Sequence, residues 1–376
     1  MQLEATELTA DELALQREVR EFLDKRLEPG TYELGLGMTG ATDPDFSRDL
    51  GARGWLGMAL SSTYGGHDRT AVERLIVVEE LLARGAPVSY HWIADRQSGP
   101  SIQKWGTEEQ RQKYLPGIAS GELSFAIGMS EPDSGSDLAS LRTKAEPTEG
   151  GWVINGTKIW TTGALTATHI LALFRTSEHK HEGLTQFIVD RNSPGLTISP
   201  IPFIDGSREF CELSFENVFI PDSERLGDIG TGWAQNTGEL VLERGGVDRW
   251  MSAVTILEHW AADPAIRDNP LALADLGSLA AKEWAFHGLS LSIARMVDEG
   301  KSPVTEAALV KEMATRYEQD CVEAVLRHWD RAPDLTSDDP HEALLARALL
   351  VSPSWSIRGG TNEILRTIIS KGLASA

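Results

Sequence analysis

Near residue 124 the hydrophobic pattern of this 376-residue chain changes period, and near residue 232 it changes back. Upstream, apolar residues recur at helical spacing. Thr9 to Glu12 reads as a capping box with Leu8 and Leu13 as its hydrophobic staple. Leu15, Val19, Phe22, Leu23 and Leu27 continue the stripe until "EPG" stops it. "AVERLIVVEELLARG" and "TEEQRQKYLPGIASG" predict two more helices, the second opened by a Thr cap. In between lie "GGWVINGTKIWTTG", "HILALFRT", "GLTQFIVD", "GLTISPIPF" and "REFCELSFENVFI". These are short β-branched and aromatic runs broken by Gly, Pro and Asn. Downstream the spacing predicts long helices over 233–262, 270–299, 304–331 and 341–372, separated at "DNP" and "GKSP". The expectation is a mostly α chain with a central β domain. It comprises an N-terminal helical domain (1–124), a middle β domain (125–231) and a C-terminal four-helix bundle (232–376).

Charge narrows the partners. Lys+Arg 35 against Asp+Glu 56 leaves a net −21, which argues against nucleic acid or an anionic membrane and leaves room for an anionic ligand in a local basic pocket. No apolar run approaches the ~20 residues of a membrane helix, and "MQLEATELTADE" is too acidic for a signal peptide. Cys211 and Cys321 lie far apart and are expected as buried thiols in a reducing cytoplasm. The histidines form no HExxH, and "HKH" at 179–181 reads as a solvated turn, so no metal site is expected. "GLGMTG" at 35–40 matches G-x-G-x-x-G. However, no strand precedes it and "ATDPDF" follows, so it is expected to be a surface loop.

Three stretches carry candidate chemistry. In "FAIGMSEPDSGSD", Ser130, Ser134 and Ser136 offer hydroxyls and backbone N–H groups in one loop, suited to a phosphate or a planar ring. In "KIWTTGA", Trp160 lies near a predicted strand end, where it serves either as a stacking surface or as core. "SIRGGTNEILR" puts Gly359 and Gly360 together before a predicted helix, at a cost in backbone entropy that needs a reason.

"GTEEQRQKYLPGIASGE", "SEPDSGSD", "GGWVINGTKIWTTGA" and "GGTNEILR" occur in the order and spacing of acyl-CoA dehydrogenases, which the chain resembles from "YGG" at 64–66 through Arg366. The resemblance implies FAD held between a β domain and a helical bundle, with an acyl-CoA thioester as substrate. It places Met129 and Ser130 beside the flavin ring, and Ser136 near the pyrophosphate or the thioester's pantetheine arm. Trp160 and Thr162 lie against the isoalloxazine, and Thr361 and Glu363 contact FAD from the bundle. It also implies an electron-transfer flavoprotein as electron acceptor and a homo- or hetero-oligomer, dimeric or tetrameric.

The family needs a carboxylate to take the substrate's α proton while a hydride leaves the β carbon for flavin N5. Many members place it in a Tyr-Glu-Gly-Thr tetrad, which here reads Arg358-Gly359-Gly360-Thr361. In this the chain resembles isovaleryl-CoA and long-chain dehydrogenases, whose base lies in a Glu-Arg pair on the first bundle helix. "GWAQNTGELVLER" puts Glu243 and Arg244 at that spacing. Glu239 is the rival base, and a purely ion-pairing role for Glu243 stays open. Gly359 would then leave room for a carboxylate from another helix and for a bulky substrate, with Arg244 holding the site together. Arg249 is expected in a surface salt bridge, with contact to a substrate phosphate as the alternative. The family's Arg-x-x-Phe-Gly segment, which reaches a neighbouring subunit's FAD, is replaced by "AADPAIRDNPLALADLG". That resembles a bacterial branch containing heterotetramers that oxidise sterol or bile-acid side-chain thioesters. Two other readings therefore stand beside a self-sufficient dehydrogenase: a half-site partner subunit, and a flavin oxidase or monooxygenase on the same fold.

Overall fold

The computed structural model describes residues 3–374, apart from the side chains of residues 238–243. Six helices come first: α1 (Ala10–Arg26), α2 (Pro44–Ala52), α3 (Ala71–Ala83), α4 (Ser89–Ile93), α5 (Gly99–Trp105) and α6 (Glu108–Ala119). Eight strands follow: β1 (Phe125–Gly128), β2 (Lys144–Thr148), β3 (Gly151–Thr162), β4 (His169–Arg175), β5 (Leu184–Asp190), β6 (Leu196–Ile201), β7 (Phe210–Pro221) and β8 (Arg225–Leu226). The chain then returns to helix with α7 (Gly232–Arg244), α8 (Val254–Ala262), α9 (Pro264–Arg267), α10 (Pro270–Asp298), α11 (Val304–Arg327), α12 (Pro340–Val351) and α13 (Asn362–Ala374). No helix among the described residues is long and apolar enough to cross a membrane. By its contacts the chain divides into two compact units.

One unit holds residues 42–69 and 89–240. Its sheet runs β6-β7-β3-β2-β4-β5-β8, with β1 added in parallel to β4. Alternation explains its core. Trp152 and Ile154 of β3, Phe174 of β4, Phe187 of β5 and Phe215, Val218 and Ile220 of β7 all join one buried cluster. The long β3–β7 pair slips register between Ile154 and Gly156 and again between Lys158 and Thr161. Such bulges re-aim side chains, and the second one contains Trp160. Beside the sheet, Thr107 caps α6 through a capping box closed by Gln110. The buried Gln110 amide also donates to the carbonyls of Ser223 and Arg225, fixing α6 to the strand end.

The other unit holds residues up to 41, 70–88 and from 241 onward. The predicted capping box at Thr9–Glu12 is present, and Thr70–Glu73 forms another at the start of α3. On α11, Ala307, Lys311, Ala314, Glu318, Cys321 and Val325 are all buried, so two charges sit inside an apolar stripe. Both cysteines are buried free thiols, as expected.

Three sequence expectations change. The helix predicted over 233–262 ends at Arg244, because Gly245 packs so close to α10 that a Cβ there would lie 2.8 Å from Ile293 Cγ2. The helix predicted over 341–372 breaks after Val351 into a 3-10 turn and a glycine turn before α13. "GLGMTG" is not a surface loop: Gly35, Leu36 and Gly37 are buried, and a Cβ on Gly37 would lie 2.7 Å from Ser252 Oγ.

Thr107→Ala removes one cap bond and should cost about 1 kcal/mol. Gln110→Ala strands two carbonyls as well and should cost about 2–4 kcal/mol, the two being ranked by urea unfolding.

Candidate active site

In the sheet unit, the residues expected to face a flavin gather on the turn after β1 and the end of β3. Trp160 has φ +62° inside the Lys158–Thr161 bulge, a conformation that costs a side-chain-bearing residue roughly 1–2 kcal/mol. The bulge turns the indole outward, leaving it 52% exposed. Phe203 and Phe210 meet it in T-shaped contacts with centroids 6.3 and 6.4 Å away, so the ring is braced by two aromatics while about half of it stays exposed. Thr162, at the strand end, is half-buried opposite Phe210.

Ser130 sits in a tightly held turn. Its carbonyl accepts from the Ile159 N–H at 2.9 Å. Lys158, fully buried, donates from Nζ to the Met129 carbonyl (3.1 Å) and to Glu131 Oε1 (2.8 Å). Glu131 also accepts from the N–H groups of Arg142 (2.6 Å) and Thr143 (2.9 Å). Burial pushes the Lys158 ammonium down to about 8, against the pull of Glu131. For Glu131, burial works toward a higher value, but the Lys158 charge and these hydrogen bonds together hold the carboxyl below its usual range. The Met129 side chain packs with Leu141, Leu173 and Leu184, so its backbone is what borders the turn. Ser136 lies exposed further along the loop. Among the described residues the hydroxyls of Ser130, Ser136 and Thr162 make no hydrogen bond within the chain, whereas Ser134 is committed to the Asp137 carbonyl.

In the helical unit, the second group gathers at the turn before α13. Gly359 and Gly360 have φ +65° and +96°, which explains the pair: two successive left-handed residues are within easy reach only of glycine. Two cations grip this turn. Arg244, the last residue of α7, donates from Nε to the Gly359 carbonyl at 3.1 Å. The buried Lys311 donates to the Gly360 carbonyl at 2.8 Å and to Asn362 Oδ1 at 3.4 Å. Arg358 turns away to pair with the fully buried Glu318 at 2.6 and 2.8 Å, and also donates to Ser252 Oγ at 2.8 Å. Burial pushes the Glu318 carboxyl up, countered by Arg358 and the Ser252 contacts. Thr361 then caps α13 by accepting from the Ile364 N–H, and Glu363 stands exposed in the first turn. Backbone and Thr361 hydrogen bonds hold the Glu363 carboxyl below its usual range.

Among the sequence candidates, Met129, Ser130, Trp160 and Thr162 thus collect on one unit, and Arg244, Gly359, Thr361 and Glu363 on the other. The side chains of Glu239 and Glu243 lie outside the described residues; the backbone of both is helical, in α7. Arg249 corrects an expectation: it is 1% exposed and ion-paired with Asp248 at 3.3 Å, neither on the surface nor open to a phosphate. Sequence reasoning missed Lys158, Lys311 and Glu318. Each carried a signal, because each charge falls at an inward position of its strand or helix period.

The family profile "Acyl-CoA dehydrogenase, N-terminal domain" matches residues 9–122, and "Acyl-CoA dehydrogenase, middle domain" matches 126–218. The acyl-CoA dehydrogenase FadE34 of Mycobacterium tuberculosis is 32% identical over 315 residues, which is 82% of this chain but only 43% of that longer protein. The solved Tcur3481-Tcur3483 steroid ACAD is 30% identical with a TM-score of 0.86, covering 100% of this chain and 99% of that one. The ChsE4-ChsE5 complex of Mycobacterium tuberculosis follows at 25% identity and 0.84, covering 99% of each chain. Fold and family matches define a flavin-dependent oxidoreductase. The chain belongs to the acyl-CoA dehydrogenase family. FAD is the family's cofactor, and residues of the sheet unit fit it: an exposed indole on Trp160 and uncommitted hydroxyls on Ser130 and Thr162.

Arg358→Leu leaves Glu318 buried without its partner and should cost about 3–5 kcal/mol. Arg358→Leu/Glu318→Leu should recover most of that loss, as a double-mutant cycle in denaturant unfolding would report.

Proposed function

We propose that this chain carries out FAD-dependent α,β-dehydrogenation of an acyl-CoA thioester, with Glu243 as the base that takes the α proton. The observation that carries this reading is the 3.1 Å hydrogen bond from Arg244 to the Gly359 carbonyl. It joins the end of α7, one residue from Glu243, to the turn where other members keep their glutamate. Glycine at 359 removes the side chain that would compete for that space, and Arg244 fixes the α7 end against the turn. Leu240, Val241 and Leu242 precede Glu243, and apolar surroundings raise a carboxylate toward useful basicity. Bound FAD supplies the hydride-accepting ring. The chain's own residues would hold it: Ser130 and Thr162 by hydrogen bonds, Trp160 by its exposed indole, and Thr361 and Glu363 from the start of α13.

The acyl group we assign is bulky, in the class of a steroid side-chain thioester. Support comes from the glycine pair and from the likeness to a steroid ACAD. We place the protein in the cytoplasm, with an electron-transfer flavoprotein as electron acceptor. A heteromeric partner is the second reading, favoured by the likeness to two-chain complexes; in it, this chain completes a site shared with another subunit.

Titrated anaerobically with a panel of acyl-CoA thioesters, the FAD-loaded chain should lose its visible flavin absorbance with bulky members of the panel. Glu243→Gln should slow that bleaching about 10²–10⁴-fold, the usual worth of a general base. Bleaching of Glu243→Gln at the wild-type rate would remove Glu243 from the mechanism. A wild-type chain that binds FAD but bleaches only after a second subunit is added would favour the shared-site reading.

A further inference from the structure

Lys158 and Glu131 form a buried ion pair that ties the Ser130 turn to the strand of Trp160. Consecutive residues are gripped by consecutive residues. Lys158 donates to the Met129 carbonyl, Ile159 to the Ser130 carbonyl, and Lys158 again to the Glu131 carboxylate. Glu131 is anchored in turn by the Arg142 and Thr143 N–H groups and by reciprocal backbone bonds with Ser134. The turn therefore has no freedom to shift against β3. Two residues beyond Lys158, the strand enters the bulge that exposes Trp160.

From this geometry we propose that Lys158 is a positioning residue which, through Glu131, locks Ser130 and Trp160 into one rigid element for holding the flavin. The proposal rests on the reading of this face as the FAD site.

A buried ion pair is a poor way to gain stability, since well-packed apolar replacements often do as well. What it does confer is directional hydrogen bonding at fixed positions. Here the positions held are those of Met129, Ser130 and Glu131, all on the flavin-facing turn. The charged groups around Lys158 are few: Glu131 on the turn favours its ammonium form, and Arg175 at the end of β4 opposes it. The Phe174 ring lies 5.5 Å from Nζ. With burial holding Lys158 at about 8, the ammonium form dominates below that pH and is lost above it. Flavin holding should therefore weaken as pH rises through about 8.

The test uses the cofactor-stripped full chain titrated with FAD between pH 6.5 and 9.5, followed by flavin fluorescence and visible circular dichroism. Lys158→Met/Glu131→Gln removes both charges while keeping one acceptor oxygen for the Arg142 or the Thr143 N–H. Far-UV circular dichroism and thermal unfolding verify that the variant is folded. Lys158→Arg is the conservative companion and should restore part of the affinity. The folded double variant should bind FAD at least 10-fold more weakly, with an altered visible dichroism band and no inflection near pH 8. A folded double variant that matches wild type in affinity, band and pH profile overturns the clamp. A wild-type chain that binds no added FAD overturns the reading of the face itself.

Discussion

A charge taken out of water must be met by a partner, and two turns of this chain are fixed by that demand. In the sheet unit, Lys158 and Glu131 meet each other and the backbone around Ser130. In the helical unit, Arg244, Lys311 and Arg358 meet the carbonyls and the carboxylate around the glycine turn. In both places the recipients include main-chain carbonyls. The cations thus fix backbone in both turns, and leave the hydroxyls of Ser130 and Thr162 and the exposed indole of Trp160 uncommitted. Stability of the whole does not require such pairs; definition of these two turns does.

The broad architecture was legible because periodicity is a long-range signal. The β-branched runs between residues 125 and 231 became a sheet, and the capping box at Thr9 formed as read. Two of the four long C-terminal helices did not survive as single elements. Propensity alone does not register that Gly245 faces Ile293 across a contact too close for a Cβ, because that closeness is a property of packing. "GLGMTG" failed similarly. Its local composition suits solvent, yet the turn is buried under Ser252.

At the site, the motif residues were readable and the residues behind them were not. Ser130, Trp160, Thr162 and Gly359 stand in short local patterns. The groups that place them come from elsewhere in the chain: Lys311 lies 49 positions from the carbonyl it holds, and Arg244 115. Contacts of such separation leave no trace in a short motif. What remains visible is the anomaly of a charge on an inward face, as with Lys311 and Glu318 along α11. Arg249 shows the converse: expected in a surface salt bridge, it is almost wholly buried.

The glycine turn also bears on how enzymes of this kind diversify. With Gly359 and Gly360 both left-handed and their carbonyls already taken by Arg244 and Lys311, a side chain at 359 would first have to tolerate an unfavourable backbone. If Glu243 is the base, as proposed, Gly359→Glu would not simply move it to this tetrad: the variant would carry a strained turn, a displaced arginine, or two carboxylates competing for one place.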